Sequence, residues 1–350
     1  MKKLNIGNSF IGENEKTYII AELSANHEQN FNLAVKTLHS MKKAGADAVK
    51  LQTFTPESMS LNINKPHFFA DEKSLWAGKK LFDLYKKAQT PLVWHSKLQK
   101  IANDLGLDFF SSPFDIKAVD FLESLNLPAY KIASFEIIDI PLLERVAKTQ
   151  KTVIISTGIA SISDIELALK TIENQGNKNI AILKCVSSYP TNLEDVNLKS
   201  IKSLHKIFNK VIGISDHSLG ISTPIASVAL GAKIIEKHFI FDKNGNGLDK
   251  KFSLDPKEFS FMVKSIREVE KVLGEEKYKI TPSMKNGKKL GRSLFAIKNI
   301  YENEIFTNEN VKSLRPNLGL HTKYFCKILN KKSKFFIEKG TPLEFNMINF

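Results

Sequence analysis

Thr152-Val153-Ile154-Ile155 runs at once into Ser156-Thr157-Gly158, then into a segment, Ile165 to Ile172, whose apolar residues recur at helical spacing, then into Ile180-Ala181-Ile182-Leu183 and Lys184. This is a short β-branched run with polar residues at its end, an amphipathic helix and a second run, which is the pattern of a βαβ unit. The same alternation extends in both directions. Upstream lie Tyr18-Ile19-Ile20-Ala21, Ala48-Val49-Lys50-Leu51, Asp108-Phe109-Phe110-Ser111 and Ala129-Tyr130-Lys131-Ile132, with helical patterns such as Leu33 to Ala44 and Leu98 to Leu105 between them. Downstream lie Val211-Ile212-Gly213-Ile214 and Ile234-Ile235-Glu236-Lys237. Eight strands alternating with helices predict an α/β fold, a closed (β/α)8 TIM barrel. An open doubly wound sheet is the competing architecture, but no Gly-x-Gly-x-x-Gly turn follows the first run.

After the long helical pattern Pro256 to Leu273 the alternation stops. Gly274 to Lys289 is polar and charged, with Pro282 and Gly287, and reads as a linker. Beyond it come short strand patterns and turns, including Leu294-Phe295-Ala296-Ile297, Ile300 to Phe306 and Gly340-Thr341-Pro342-Leu343. The expected organisation is a barrel over 1–275, a linker over 276–289 and a small, mostly-β domain over 290–350.

The chain has 350 residues, 42% hydrophobic and 25% charged, which are globular proportions. No stretch approaches the roughly 18 consecutive apolar residues of a membrane span. The start, Met1-Lys2-Lys3 followed by Asn5, Gly7 and Asn8, lacks the apolar core of an export signal. Only Cys185 and Cys326 are present, so no disulfide framework is expected, and a reducing cytoplasm is the expected location. Net charge is +14, but the lysines are scattered over helix faces, and the dense clusters Lys285 to Lys289 and Lys331-Lys332 carry no interleaved aromatics. A solvated lysine-rich surface explains them better than a nucleic-acid partner. Neither nucleic acid nor membrane is expected as a partner.

In a (β/α)8 barrel the chemistry sits at the carboxyl ends of the strands. Every run here delivers polar groups to that rim: Glu22, Asn26 and His27; Lys50 and Gln52; Ser111 and Ser112; Lys131, Ser134 and Glu136; Ser156 and Thr157; Lys184, Ser187, Ser188 and Tyr189; Ser215, Asp216 and His217; Glu236, Lys237 and His238. Lys50 and Lys131, with the hydroxyls of Ser111, Ser112, Ser134 and Ser156, could surround a phosphate. The alternative for the two lysines is an ion pair within the rim. His217 and His238 end adjacent strands and could converge on one divalent ion with a carboxylate such as Glu22. The alternative is a pair of ordinary hydrogen-bonded histidines. His39, His67, His95 and His205 read as surface or packing residues, and Cys185 as a small core hydrophobe.

Taken in order, these segments resemble the sialic acid synthase family. The resemblance is carried by Ile20-Ala21-Glu22-Leu23-Ser24-Ala25-Asn26-His27, Gly45 to Thr53, Ser111-Ser112-Pro113-Phe114-Asp115, Tyr130 to Glu136, Ser156 to Ala160, Ser188-Tyr189-Pro190-Thr191, Gly213 to His217 and Ile235 to Phe239. Arg292-Ser293-Leu294 and Leu314-Arg315-Pro316 resemble the family's C-terminal antifreeze-like (SAF) domain. The resemblance implies an enzyme that condenses phosphoenolpyruvate with an acetamido sugar and releases phosphate. It implies that Lys50, Ser111 or Ser112, Lys131, Ser134, Ser156 and Ser215 hold phosphoenolpyruvate. His217 and His238 would bind a divalent metal, Mn2+ or Mg2+. Glu22, Gln52, Tyr189 and Asp249 would face the sugar, Glu136 would position or deprotonate water, and either Glu22 or Glu136 would be the catalytic acid or base. Arg315 would reach the sugar from the neighbouring chain of a domain-swapped homodimer. Ser24, Leu75 to Lys79, Thr90 to His95 and Ala133-Ser134-Phe135-Glu136 resemble the branch whose acceptor is a 2,4-diacetamido-2,4,6-trideoxy-L-altrose. The sialic and legionaminic branches, which differ in acceptor, stay open, as does a non-catalytic carbohydrate-binding barrel.

Overall fold

The computed structural model describes residues 3–72 and 74–350; Met1, Lys2 and Lys73 lie outside them, so the first two residues of the stretch read for an export signal do too. The chain divides into two compact units after Gly274. In the first, a short hairpin of β1 (Leu4–Ile6) and β2 (Ser9–Ile11) precedes eight strands: β3 (Tyr18–Glu22), β4 (Ala48–Thr53), β5 (Asp108–Pro113), β6 (Ala129–Ile132), β7 (Thr152–Ser156), β8 (Ile180–Cys185), β9 (Val211–Asp216) and β10 (Ile234–His238). All eight are parallel, and β10 pairs with β3, so the sheet closes on itself as a TIM barrel. The eight apolar runs of the sequence are these eight strands.

Helices follow the strands: α1 (Phe31–Lys43), α2 (Pro56–Met59), α3 (Leu81–Ala88), α4 (Leu92–Asp104), α5 (Ile116–Ser124), α6 (Ile140–Ala147), α7 (Ile162–Asn174), α8 (Leu193–Val196), α9 (Ser200–Phe208), α10 (Ser222–Ala229) and α11 (Pro256–Leu273), and the longer ones, such as α1, α4, α7 and α11, cover the outside. Their starts are fixed by local chemistry. Asn30 caps α1, and Ser161 with Asp164 and Asp255 with Glu258 form capping boxes on α7 and α11.

The period of two along each strand sorts the side chains into two cores. Ile19, Ala21, Val49, Leu51, Phe109, Tyr130, Val153, Ile182, Ile212 and Ile235 point outward and pack under the helices. Ile20, Ala48, Phe110, Ala129, Ile154, Ala181, Val211 and Ile234 point inward, and Leu4, Ile6 and Ile11 of the hairpin join them. The hairpin therefore plugs the end where the strands begin. It went unread in the sequence because a three-residue strand is too short to show a period. Continuing the inward phase toward the strand ends gives Glu22, Lys50, Gln52, Ser112, Lys131, Ser156, Cys185, Ser215, Glu236 and His238. The barrel is apolar at one end and polar at the other.

The second unit, Glu275–Phe350, contains a helix α12 (Pro282–Lys288) inside the stretch read as a linker, capped by Thr281. Two antiparallel pairs follow, β11 (Ser293–Ala296) with β12 (Val311–Leu314) and β13 (Lys332–Ser333) with β14 (Ile348–Asn349), with α13 (Phe325–Ile328) between them. Leu294, Ile300, Phe306, Ile328, Ile337 and Leu343 form its own core. Among the described residues no helix is long and apolar enough to cross a membrane.

Gly213 tests the barrel packing. A Cβ there would lie 2.4 Å from the Ile234 carbonyl oxygen and 2.6 Å from Leu183 Cδ2, between two strands that cannot move apart. Gly213→Ala is expected to destabilise the chain by about 1–3 kcal/mol, the usual cost of overpacking, read as a lowered midpoint in urea unfolding.

Candidate active site

The polar end of the barrel opens into a cavity of about 570 Å³, within the usual range for a small-molecule site. Lys50, Lys131 and Glu236 form its floor, with Glu22 directly beneath. Lys50 is ion-paired with Glu22 and lies 3.8 Å from Glu236 Oε2, and Lys131 Nζ lies 3.7 Å from Glu236 Oε1. Strand register produces this arrangement, because Glu22 pairs with Lys50 on one side and with His238 on the other. Ser215 Oγ donates to Glu236 Oε1 at 2.7 Å, and Lys50 Nζ donates to Ser112 Oγ at 3.3 Å. Burial pushes the Glu22 carboxyl up, against the pull of Lys50. Burial would raise Glu236 too, but Lys131, Lys50 and the Ser215 hydroxyl together hold it below the usual carboxylate value. Lys131 is pushed down by burial, while in Lys50 the two carboxylates overcome burial and hold the ammonium charged.

Above this floor stand two imidazoles. His217 and His238 have ring centroids 5.2 Å apart, with Phe252 against both and Tyr189 4.5 Å from His217. Burial, first of all, brings His217 down to about 4 and His238 well below its ordinary value, so both rings are neutral near pH 7. His217 Nδ1 lies 3.3 Å from the Val186 carbonyl oxygen, and His238 Nδ1 is 3.7 Å from Asp249 Oδ2. A web runs from there toward β4: Ser24 Oγ donates to Asp249 Oδ2 and accepts from Gln52 Nε2 at 3.0 Å. Asn26 holds the web from behind, donating to the Phe239 carbonyl at 2.9 Å and accepting from Asp249 N–H at 3.2 Å.

The cavity collects unpaired polar atoms. Glu136 Oε2, Ser156 Oγ, Glu236 Oε2 and His238 Nδ1 are buried without a hydrogen-bond partner, and all four residues line it. Buried polar atoms are nearly always paired, so four lapses around one cavity mark a place built to bind a polar ligand.

The structure brings most of the sequence-predicted residues together. Lys50, Gln52, Ser112, Lys131, Ser134, Glu136, Ser156, Tyr189, Ser215, His217, His238 and Asp249 all line the cavity. Two expectations need correction. Ser111 is out of phase: it points away from the cavity into a buried triplet in which Thr53 Oγ1 meets both Ser111 Oγ (2.6 Å) and His95 Nε2 (2.8 Å). Strand alternation thus leaves Ser112 as the hydroxyl that β5 offers the site. Glu22 points inward but lies beneath the cavity, fully buried, with its other oxygen accepting from Ser24 N–H at 3.0 Å. It holds Lys50 and does not itself line the cavity.

Sequence reasoning placed Glu236 at the rim but gave it no role, although its place two positions before His238 puts it in the inward phase. Cys185, read as a core residue, also lines the cavity, 3.8 Å from His217 Nδ1. Arg315 lies exposed in the second unit, directly after β12. Among the described residues no group of three His, Cys, Asp or Glu side chains forms a ready metal cage.

Glu136 makes the electrostatics testable. Burial raises its carboxyl from 4.5 to about 7. The folded state therefore binds more protons than the unfolded one between those values, and stability falls as pH rises through that window. Glu136→Gln should flatten this decline between pH 5 and pH 8 by at most about 3 kcal/mol, measured by urea unfolding at both pH values.

Known proteins place this geometry in context. Residues 37–278 match the NeuB family and residues 291–349 the SAF domain. The chain is 47% identical over 326 residues to a pseudaminic acid synthase of Helicobacter pylori, covering 93% of this chain and 96% of that one. It is 44% identical over 341 residues to a pseudaminic acid synthase of Campylobacter jejuni, covering 97% and 98%. The crystal structure of an N-acetylneuraminic acid (sialic acid) synthetase from Leptospira borgpetersenii in complex with citrate superposes with a TM-score of 0.74 at 34% identity, over 82% of this chain and 95% of that one. A closed parallel barrel with a charged floor, a SAF domain beyond it, and likeness of this extent together establish that the chain belongs to the NeuB family.

Proposed function

We propose that this chain is a pseudaminic acid synthase: it joins phosphoenolpyruvate to 2,4-diacetamido-2,4,6-trideoxy-L-altrose with one water, giving the nine-carbon 2-keto acid and inorganic phosphate. The observation that carries this reading is the pair of buried lysines on the floor of a cavity bordered by four unpartnered polar atoms. Such a floor suits a small, strongly anionic substrate. The high identity to the two pseudaminic acid synthases supports the acceptor.

The roles follow from charge and reach. Lys50 and Lys131, with the hydroxyls of Ser112, Ser134, Ser156 and Ser215, bind the phosphate of phosphoenolpyruvate. Glu236 opposes the burial that pushes Lys131 down and, with Glu22, holds Lys50 charged. Carbon 3 of the enol ester attacks the sugar aldehyde, water adds at carbon 2, and the tetrahedral adduct expels phosphate into the lysine pocket, where the developing charge is stabilised. Glu136, raised to about 7 and turned toward the cavity, takes the proton from the attacking water. Gln52, Ser24, Tyr189 and Asp249 orient the sugar.

His217 and His238 suit a divalent ion, Mn2+ or Mg2+, because both rings are neutral, they face each other, and His238 Nδ1 has no hydrogen-bond partner. Asp249 would complete the donor set, and open positions would remain. A bound ion would polarise the aldehyde oxygen as a Lewis acid. In the decisive assay, phosphate release and product mass are followed with phosphoenolpyruvate and the trideoxy sugar, alongside N-acetylmannosamine. Stoichiometric phosphate and a condensed product are expected, with at least tenfold lower kcat/KM for N-acetylmannosamine and loss of turnover on chelation, restored by Mn2+. Equal turnover of the two sugars would defeat the acceptor assignment, and full turnover after exhaustive chelation would remove the metal.

The two free cysteines fit a reducing compartment, and we place the enzyme in the cytoplasm. We further propose a homodimer in which Arg315 completes the site of the partner subunit, since its planar guanidinium suits a carboxylate or sugar hydroxyls. Arg315→Ala and His238→Ala chains, each nearly inactive alone, should regain about half of wild-type activity per mixed dimer, since one of its two sites pairs an intact barrel with an intact arginine. Mixed dimers no more active than their parents would show that each chain completes its own site.

A further inference from the structure

Helix α3, Leu81–Ala88, is amphipathic with no core to pack on. Leu81, Leu84, Tyr85 and Ala88 recur at the i, i+3, i+4, i+7 spacing of one face, with Asp83, Lys86 and Lys87 on the other side. A stripe of this kind normally covers a hydrophobic core. Here all four residues line the cavity, and none belongs to the apolar cluster between strands and helices. Phe54 supports the stripe, edge-on to Tyr85 at 5.9 Å and to Phe114 at 5.3 Å, and it too borders the cavity. The floor is thus charged, and this wall offers one polar side-chain atom, the Tyr85 hydroxyl.

We infer that this wall selects the acceptor sugar by its alkyl substituents. The inference rests on the condensation proposed above and deepens it by naming the residues that read the substrate. Part of a sugar held against Leu81, Leu84 and Phe54 is withdrawn from water, and these three side chains offer it no hydrogen bond. A methyl group at C6 gains from that contact, whereas a hydroxymethyl group loses hydration without compensation. Apolar walls reject an added hydroxyl only moderately, by roughly a hundredfold at most, so the discrimination is graded.

The test compares two acceptors that differ only at C6: the 2,4-diacetamido-2,4,6-trideoxy sugar and its 6-hydroxy counterpart. Their ratio of kcat/KM is measured in the wild type, Leu84→Gln and Leu81→Gln, with thermal melting and the KM for phosphoenolpyruvate as controls for an intact fold and floor. The wild type should favour the 6-deoxy sugar by about tenfold to a hundredfold. Either glutamine variant should reduce that preference at least fivefold, mainly through KM of the sugar. Leu81 is only half-buried, so its variant remains informative if Leu84→Gln fails to fold. Equal use of both sugars by the wild type, or an unchanged ratio in a folded variant, overturns the wall while leaving the condensation reading intact. Wild-type failure to release phosphate with either sugar would instead overturn the condensation reading.

Discussion

Two lysines and two glutamates buried at the mouth of a barrel must balance one another. Glu22, Lys50, Glu236 and Lys131 are each nearly inaccessible, and removing one would leave a buried charge uncompensated, at a cost of about 3–5 kcal/mol. The balance is asymmetric. Lys50, which lines the cavity, forms a close pair with Glu22 beneath it, while Lys131 and Glu236 meet at 3.7 Å, and Glu236 keeps one oxygen without a hydrogen bond. This second pair is looser, so an anion can compete for Lys131 without dismantling the first. The rest of the site is arranged around that reserve of positive charge.

Register and alternation set the height of each group. Because Glu22 lies level with Lys50 and His238, the charged floor and the imidazoles come from neighbouring positions on neighbouring strands. The side chains that face outward one residue away are equally constrained. Lys237 pairs with Asp216 at 2.5 Å, fully buried, across the two strands that carry His238 and His217. Lys237 also donates to the Ser218 carbonyl, directly after His217. The imidazoles thus rest on strands tied together from behind. The face that carries the imidazoles has a rigid support, and the cavity is walled elsewhere by a helix, α3, inserted between β4 and β5.

Much of this was legible beforehand. The eight strands could be read because β-branched runs and helical spacing are local properties, and the polar residues at the run ends followed from the architecture of a closed barrel. What resisted reading had one cause: a strand end offers two faces. Ser111 and Ser112 are chemically equivalent in the sequence, and only the register of β5 turned Ser112 to the cavity and Ser111 toward Thr53 and His95. Glu236 was read at the rim without a role, because nothing local tells which of Glu236 and Lys237 faces inward.

The sequence by itself determined the strands, the helices with their caps, the polar ends and the supply of lysines, carboxylates and histidines, because each depends on residues close together along the chain. Only the tertiary structure decided which carboxylate meets which lysine, that Glu22 lies beneath the cavity and Glu236 in it, and that the apolar face of α3 lines a cavity and covers no core. Those outcomes depend on barrel closure, which brings residues more than two hundred positions apart, such as Glu22 and His238, to the same height on adjacent strands. No local pattern encodes that distance.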